Sequence, residues 1–510
     1  MNLKLTIGWT AFLSLLSLFI SMANQVIVSY HFGTSSQLDA YWVAFAVMNF
    51  LAFPLTPLRE ALVPEVHRYA QISPQVASEY FSKALSLILL IAFIGAAVGV
   101  IFSSAIFDWF EEKNNAVIRI QEIRNLMWLA PAVILLALSD TLNSLLTSYN
   151  RVVLQTLYRL FAAGASTATI ALVTGWLGSF VLVIGFIVGQ LISIIFLIRA
   201  LRKEGLRFWF ALPWGLGKNF LHLSGVLIVS YALSQIYSVY EKTTFVNLSS
   251  GLVSAFQYAV SITNVVITVI GFSIANVLWP RFLKHSANEN HQQMHQELII
   301  TLKAVFLLLG GICASIFILA PSIVAILFKR GSFDQAAVEI TTHALKAAVF
   351  AAIPISLGAV IGKVLISRGK SKSLMTIGLI TALFGMAILC VAKMNHSADL
   401  AMSHWVLANT LGTCFGFVFV IPAESICLSG LLKLLLWMIR LVLSCALACT
   451  ATYIPTLIFQ NLSEPMPIIY IEVILKAVCF FAVYGVSIIA LGLLNDFSRM
   501  PNMKIFSIFR

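Results

Sequence analysis

The feature that most constrains this chain is its long apolar runs, repeated from end to end. Stretches such as 177–198 carry no charge at all. An α-helix rises about 1.5 Å per residue, so about twenty such residues cross the ~30 Å hydrocarbon core of a bilayer. In lipid every backbone N–H and C=O must be satisfied within the segment, which makes each run a helix. Composition agrees. The 510 residues are 60% hydrophobic and 10% charged, whereas a soluble domain carries about 25% charged residues. The fold class is an all-α integral membrane protein, and no long polar region is left for a soluble catalytic domain.

About fourteen spans are expected, over 8–30, 40–64, 82–107, 126–148, 153–173, 177–198, 220–246, 252–279, 304–328, 337–366, 373–392, 402–422, 432–456 and 470–494. Lys4 precedes an apolar stretch with no small-residue cleavage site, so the first run reads as a span and not as a removed signal. An even number of spans puts both termini on one side. If that side is cytoplasmic, the outer segments hold six basic residues, Lys113, Arg119, Arg124, Lys329, Arg330 and Lys393, and the inner segments nineteen. This asymmetry is what the positive-inside rule demands. It also accounts for the net charge of +12 without nucleic acid, for which a contiguous basic surface would be needed.

The sequence repeats itself. LDAYWVAF…LVPEVHRY (38–69) is echoed by VSAFQYAV…LWPRFLKH (253–285), pairing Ala40 with Ala255 and Pro64 with Pro280. LTSYNRVVLQTLYRL (146–160) is echoed by LISRGKSKSLMTIGL (365–379), pairing Asn150 with Gly369. The offsets lie between 215 and 219. An even number of helices separates the copies, so they share one orientation. This implies two parallel six-helix lobes, an arrangement in which transporters bind substrate between lobes. The expected organisation is an N-terminal lobe at 1–203, a second lobe at 204–430, and two additional spans with a cytoplasmic tail at 431–510.

Four stretches carry a resemblance: HFGTSSQLDAYWVAFAVMNF (31–50), REALVPEVHRY (59–69), KRGSFD (329–334) and GKVLISRGKSKS (362–373). They resemble the lipid II flippase family (MurJ/MviN), within the wider group of multidrug, oligosaccharidyl-lipid and polysaccharide exporters. The resemblance covers nearly the whole chain. It implies a bacterial inner-membrane protein that moves an undecaprenyl-diphosphate-linked saccharide to the outer leaflet by alternating access, with the two extra helices forming a groove for the lipid tail. The departures are specific. Where the family carries cavity arginines, this chain has Leu18, Asn24, Ala52 and Ser261, and an acidic partner position is Asn264. Asp39 is retained. Some family members bind sodium through carboxylates in spans 7 and 11, but span 11 here has none.

Of the 32 basic residues, seven fall within or at the margins of spans: Arg59, Arg159, Lys242, Lys346, Lys363, Arg440 and Lys476. A charge in hydrocarbon costs several kcal/mol, so each needs a partner, a wet cavity or a route to the interface. Lys363 can snorkel, and Lys476 can pair with Glu472 one turn away. Arg59, Glu60, Asp140 and Arg159 belong to the first lobe, and Arg59–Asp140 or Arg159–Glu60 pairs would neutralise them. Alternatively, Arg59 or Arg159 faces the cavity and meets a diphosphate, which a guanidinium binds bidentately. Arg440 could meet a lipid phosphate at the groove mouth. Glu241 and Lys242 are adjacent and point about 100° apart on a helix, so they are not expected to pair with each other; Lys346 is the candidate partner of Glu241. Substrate-binding candidates are therefore Arg59, Arg159, Asn24, Ser261, Asn264 and Arg440. Gating or ion-coupling candidates are Asp39, Glu241, Lys242, Lys346, Asp140 and Glu60.

The seven cysteines lie almost entirely in apolar runs and show no metal-ligand spacing with His. There is no HExxH, GxSxG or Walker A loop, so the chain is not expected to be an enzyme or to hold a cofactor. Coupling to the membrane potential or to a cation is expected instead. The partners are a lipid-linked saccharide, membrane lipids and envelope-synthesis proteins. Two further readings stay open: a cation-coupled exporter of amphipathic small molecules, and a non-transporting scaffold of an envelope-synthesis complex.

Overall fold

The computed structural model describes residues 3–110, 116–149, 151–203, 208–213, 215–288, 291–420, 428–455 and 466–494. Asn150, Cys427 and the expected cytoplasmic tail after 494 lie outside them. The described residues form helices and turns, with no strand. In order the helices are α1 (Leu3–Phe32), α2 (Ser36–Leu51), α3 (Leu55–Ala70), α4 (Pro74–Ile101), α5 (Ser103–Phe110), α6 (Ala116–Ser148), α7 (Val152–Leu177), α8 (Val181–Lys203), α9 (Lys218–Leu248), α10 (Leu252–Val266), α11 (Ser273–Ala287), α12 (His291–Phe328), α13 (Gln335–Ala348), α14 (Ala352–Ser367), α15 (Ser371–Met394), α16 (Ala398–Val420), α17 (Leu428–Ala451) and α18 (Met466–Ala490).

Each expected span has helix over it. Among the described residues, eleven segments are long and apolar enough to cross a membrane, or twelve if the bent pair α2 and α3 is one span. The expected fourteen is not reached by that measure. One of the eleven, Val153–Lys203, has 51 residues and would reach about 77 Å as one helix, far beyond a ~30 Å core. It contains α7 and α8, which pack along each other. α9 overlies the expected seventh span and is not among the eleven.

The repeat is visible in the backbone. Helices α2 and α3 meet at 47° across residues 52–54, where Pro54 removes an N–H and Pro57 follows in the first turn of α3. In the second copy α10 and α11 are joined through a π-helical turn at Ile267–Phe272, the same place at an offset of 216. There Gly271 lets the chain approach α14, since a Cβ would overlap Ser356 Oγ. The second sequence match repeats a backbone bond. The Arg151 N–H donates to Leu146 O at 2.9 Å, and the Lys370 N–H to Leu365 O at 2.8 Å. Both are the six-residue closure that ends a helix.

By contact the chain forms two compact units. The first holds Met1–Ala255, Arg330–Ala337 and Leu389–Ala401. In it α1 packs on α7, α2 on α6 and α9, and α3 on α4, α6 and α9. The second holds Phe256–Lys329, Val338–Ile388 and Met402–Arg510. There the two extra helices, α17 and α18, dock on α12. Their apolar contact includes Leu307, Trp437, Leu441, Phe480 and Tyr484, and the Tyr484 hydroxyl donates to Leu307 O at 2.6 Å.

Candidate functional site

The break after α2 turns α3 so that Arg59 meets α6. Its Nη1 donates to Asp140 Oδ2 at 2.6 Å. The other carboxylate oxygen accepts from the Tyr158 hydroxyl of α7 at 3.0 Å. The Arg59 and Asp140 side chains keep 28% and 32% exposure, because they line a cavity of about 190 Å³ with Asn49, Thr56, Tyr231 and Gln235. Ala52 lines the same cavity. One carboxylate uses few of the five guanidinium donors, so the rest can address a second anion. Of the two ion pairs expected in this lobe, Arg59–Asp140 forms. Arg159–Glu60 does not: Glu60 accepts from the Tyr231 hydroxyl of α9 at 2.6 Å. Arg159 is exposed, and no carboxylate among the described residues lies within ion-pair distance of it.

Asp39 sits in the first turn of α2 and is 2% exposed. Its carboxylate accepts the Gly251 N–H at 2.5 Å, the Ser254 N–H at 2.8 Å and the Ser254 hydroxyl. It therefore caps the start of α10 from another helix, using the amides that α10 cannot satisfy itself and the positive end of its dipole. Gly251 has φ +82 and comes so close to Thr34 O that no Cβ would fit. Ser36 Oγ and Ser250 Oγ lie 2.7 Å apart, and the Ser332 N–H of the KRGSFD stretch donates to Tyr30 O at 2.8 Å. Three loops are thus knitted together at the end where α2 and α10 begin.

One expectation about α9 is corrected. Lys242 Nζ does pair with Glu241, at 2.5 Å from Oε1. Adjacent Cβ vectors diverge, but both residues are 9% exposed, and the flexible four-carbon lysine stem bends back where a buried ammonium needs a counter-charge. The Lys346 ammonium lies over the Phe317 ring, 5.7 Å from the centroid. Other cations are accommodated locally. Lys363 lies 3.6 Å from the centroid of Trp279, and Lys476 pairs with Glu472 at 2.5 Å. Arg440 is exposed, with Nη1 3.5 Å from Leu491 O.

The residues standing where the family carries arginines divide in role. Asn24 donates to Thr167 Oγ1 at 2.9 Å, which joins α1 to α7. Ser261 donates to Tyr258 O on its own helix, and Asn264 is exposed. Tyr158, Tyr231 and Ser254 were not singled out from sequence. Ser254 had a signal: the repeat that aligns Ala40 with Ala255 sets it opposite Asp39. No group of three or more His, Cys, Asp or Glu among the described residues could hold a metal ion.

The sequence model of lipid II flippase MurJ matches residues 28–473. A lipid II flippase MurJ of Burkholderia cenocepacia is 22% identical over 360 residues, 68% of this chain and 69% of its own. A "probable lipid II flippase MurJ" of Buchnera aphidicola subsp. Baizongia pistaciae is 20% identical over 358 residues, 68% of this chain and 69% of its own. Among solved structures, a lipid II flippase MurJ in an inward closed conformation superposes with a TM-score of 0.78 at 17% identity, covering 96% of this chain and 99% of that one. An inward-facing multidrug transporter of the MATE family reaches 0.66 at 14% identity, over 79% of this chain and 93% of its own. With a match that runs through both copies of the repeat and into α18, the chain belongs to the lipid II flippase MurJ family.

Proposed function

We propose that this multi-pass membrane protein moves an undecaprenyl-diphosphate-linked saccharide from the inner to the outer leaflet by alternating access. Lipid II is the first candidate, and a related envelope-polysaccharide precursor the second. The observation that carries the reading is Arg59 in a polar cavity beside Ala52, in a chain matched to the family over 28–473. Ala52 stands where the family has an arginine, and Arg59 brings a guanidinium back to the same cavity two turns further on. Asp140 holds it until a diphosphate with two negative groups competes for its donors. Asp39 capping α10 is the outer gate, with both termini in the cytoplasm. The drive is the membrane potential or a coupled cation, and Glu241 is the carboxylate that would sense it. The chain works by transport and not by bond chemistry, in contact with membrane lipids and envelope-synthesis proteins.

Complementation of a strain depleted of its lipid II flippase tests this. Restored growth supports lipid II. Failure to restore growth, with a surface-polysaccharide defect on deletion, assigns another precursor. Undiminished flipping in Arg59→Ala would sink the diphosphate role. A Ser36→Cys/Ser250→Cys disulfide across the 2.7 Å contact separates transporter from scaffold: oxidation stops a transporter reversibly and leaves a scaffold working.

A further inference from the structure

Between α8 and α9 lies an apolar hook with no part in the transport scheme. Residues 208–213, Phe-Trp-Phe-Ala-Leu-Pro, form neither helix nor strand, yet their backbone is tied down. The Trp209 N–H donates to Ser82 Oγ at 3.2 Å, and the Ala211 N–H to Ser86 Oγ at 3.0 Å. Both serines are on α4, four residues apart and so on one face. The two bonds climb together, from Trp209 at Ser82 to Ala211 at Ser86, so the hook runs along α4. Side-chain hydroxyls take the role that water plays for a loop in solution. This is what a low-dielectric surrounding requires, where unpaired N–H groups are costly. Phe208 packs edge-on against Phe81, with centroids 6.3 Å apart.

The outward side chains are apolar. Trp209 is 48% exposed, Phe210 84% and Leu212 74%. Just before them in sequence, α8 ends with Arg199, Arg202 and Lys203, all exposed. None of the three has a carboxylate within ion-pair distance among the described residues. Lys203 and Phe208 are five positions apart, a reach of at most about 18 Å. An apolar patch alone would suit many partners, but three exposed cations a short stretch of chain before an exposed Trp favour an anionic one. Basic residues next to an inserted aromatic edge are attracted to anionic lipid, and Trp settles at headgroup depth.

We propose that Arg199, Arg202 and Lys203, with residues 208–213, form a binding surface for anionic phospholipid in the leaflet at the N-terminal end of α4. Trp209, Phe210 and Leu212 enter the acyl boundary, and the three cations meet the phosphates. On the orientation proposed above this is the inner leaflet, although lipid selection itself does not depend on which leaflet it is. The hook joins the two halves of the repeat, so bound lipid also holds that connection against α4.

The test uses the full chain in phosphatidylcholine vesicles containing brominated phosphatidylglycerol or brominated phosphatidylcholine. Subtracting a Trp209→Phe variant isolates the Trp209 fluorescence. Brominated phosphatidylglycerol should quench it about fivefold more efficiently at low salt, the effect of one cation at a surface. The preference should fall as salt rises. Arg199→Gln/Arg202→Gln/Lys203→Gln should make the two lipids equal while Trp209 stays quenched. Equal quenching by both lipids in the parent overturns the proposal, as does a Trp209 that neither lipid quenches. Neither result bears on complementation, so this inference can fail while the transport reading stands.

Discussion

Replacing Asp39 by Asn tests the lock on α10 with almost no change of shape. The carboxylate is 2% exposed and accepts two backbone N–H groups and one hydroxyl. An amide offers one acceptor oxygen in place of two and turns its NH2 toward a backbone donor. At least one bond is lost, and the others fall from charge-assisted to neutral. Bonds to a charged group contribute about 1.5–3 kcal/mol each and neutral ones about 0.5–1.5. The charge at the start of a helix adds up to ~2 kcal/mol when partly buried. The gross loss is roughly 4 kcal/mol. Relief from burying an ion returns part of it, leaving about 2–3 kcal/mol lost from the cap on α10, the contact proposed above as the outer gate. That is about a 30- to 150-fold shift in the gate equilibrium. The assay places a cysteine at Leu38, fully buried beside the lock, in a variant whose native cysteines are serines. Its reaction with a membrane-impermeant maleimide is then timed. Asp39→Asn should raise the rate by that factor. An equal rate in the two proteins, both folded, would refute the view that this carboxylate holds the gate shut.

Three further outcomes follow from the packing. Arg59→Ala should abolish complementation while changing stability by less than about 1 kcal/mol, since its pair with Asp140 is about one-third exposed and solvent-screened; Arg59→Lys should recover part of the activity. Tyr484→Ala removes the ring packed against Gly311 and the bond to Leu307 O. It should cost about 3–5 kcal/mol locally, read as faster amide exchange in α17 and α18 with α2–α8 unchanged. Gly271→Ala drives a methyl into Ser356 and should cost about 1–3 kcal/mol, read as a lower melting temperature that Ser356→Gly restores.

The span pattern was legible because lipid imposes one rule on every segment: apolar, about twenty residues long, with its backbone satisfied internally. The repeat was legible because copies of one unit keep their prolines and turns. Pro64 and Pro280 lie inside α3 and α11, and the helix-ending bond recurs at Leu146 and Leu365. Arg59–Asp140 could be named in advance because a charge in a span needs a partner and few were available. Glu241–Lys242 could not. Helical spacing describes where Cβ atoms point, whereas a long buried side chain goes where the field requires.

From the sequence alone came the helical membrane class, the internal duplication, the family likeness and the small set of charges within the spans. These follow from local or repeated pattern, which needs no knowledge of what touches what. Tertiary structure alone decided what those charges meet. It brought Asp39 to the amides of Gly251 and Ser254, more than two hundred residues away, and placed Arg59 in the cavity that Ala52 shares. It left Arg159 exposed and laid the 208–213 hook on two serines of α4. Each is a contact between distant segments, set by how helices pack and where side chains reach, and no periodicity along the chain encodes it.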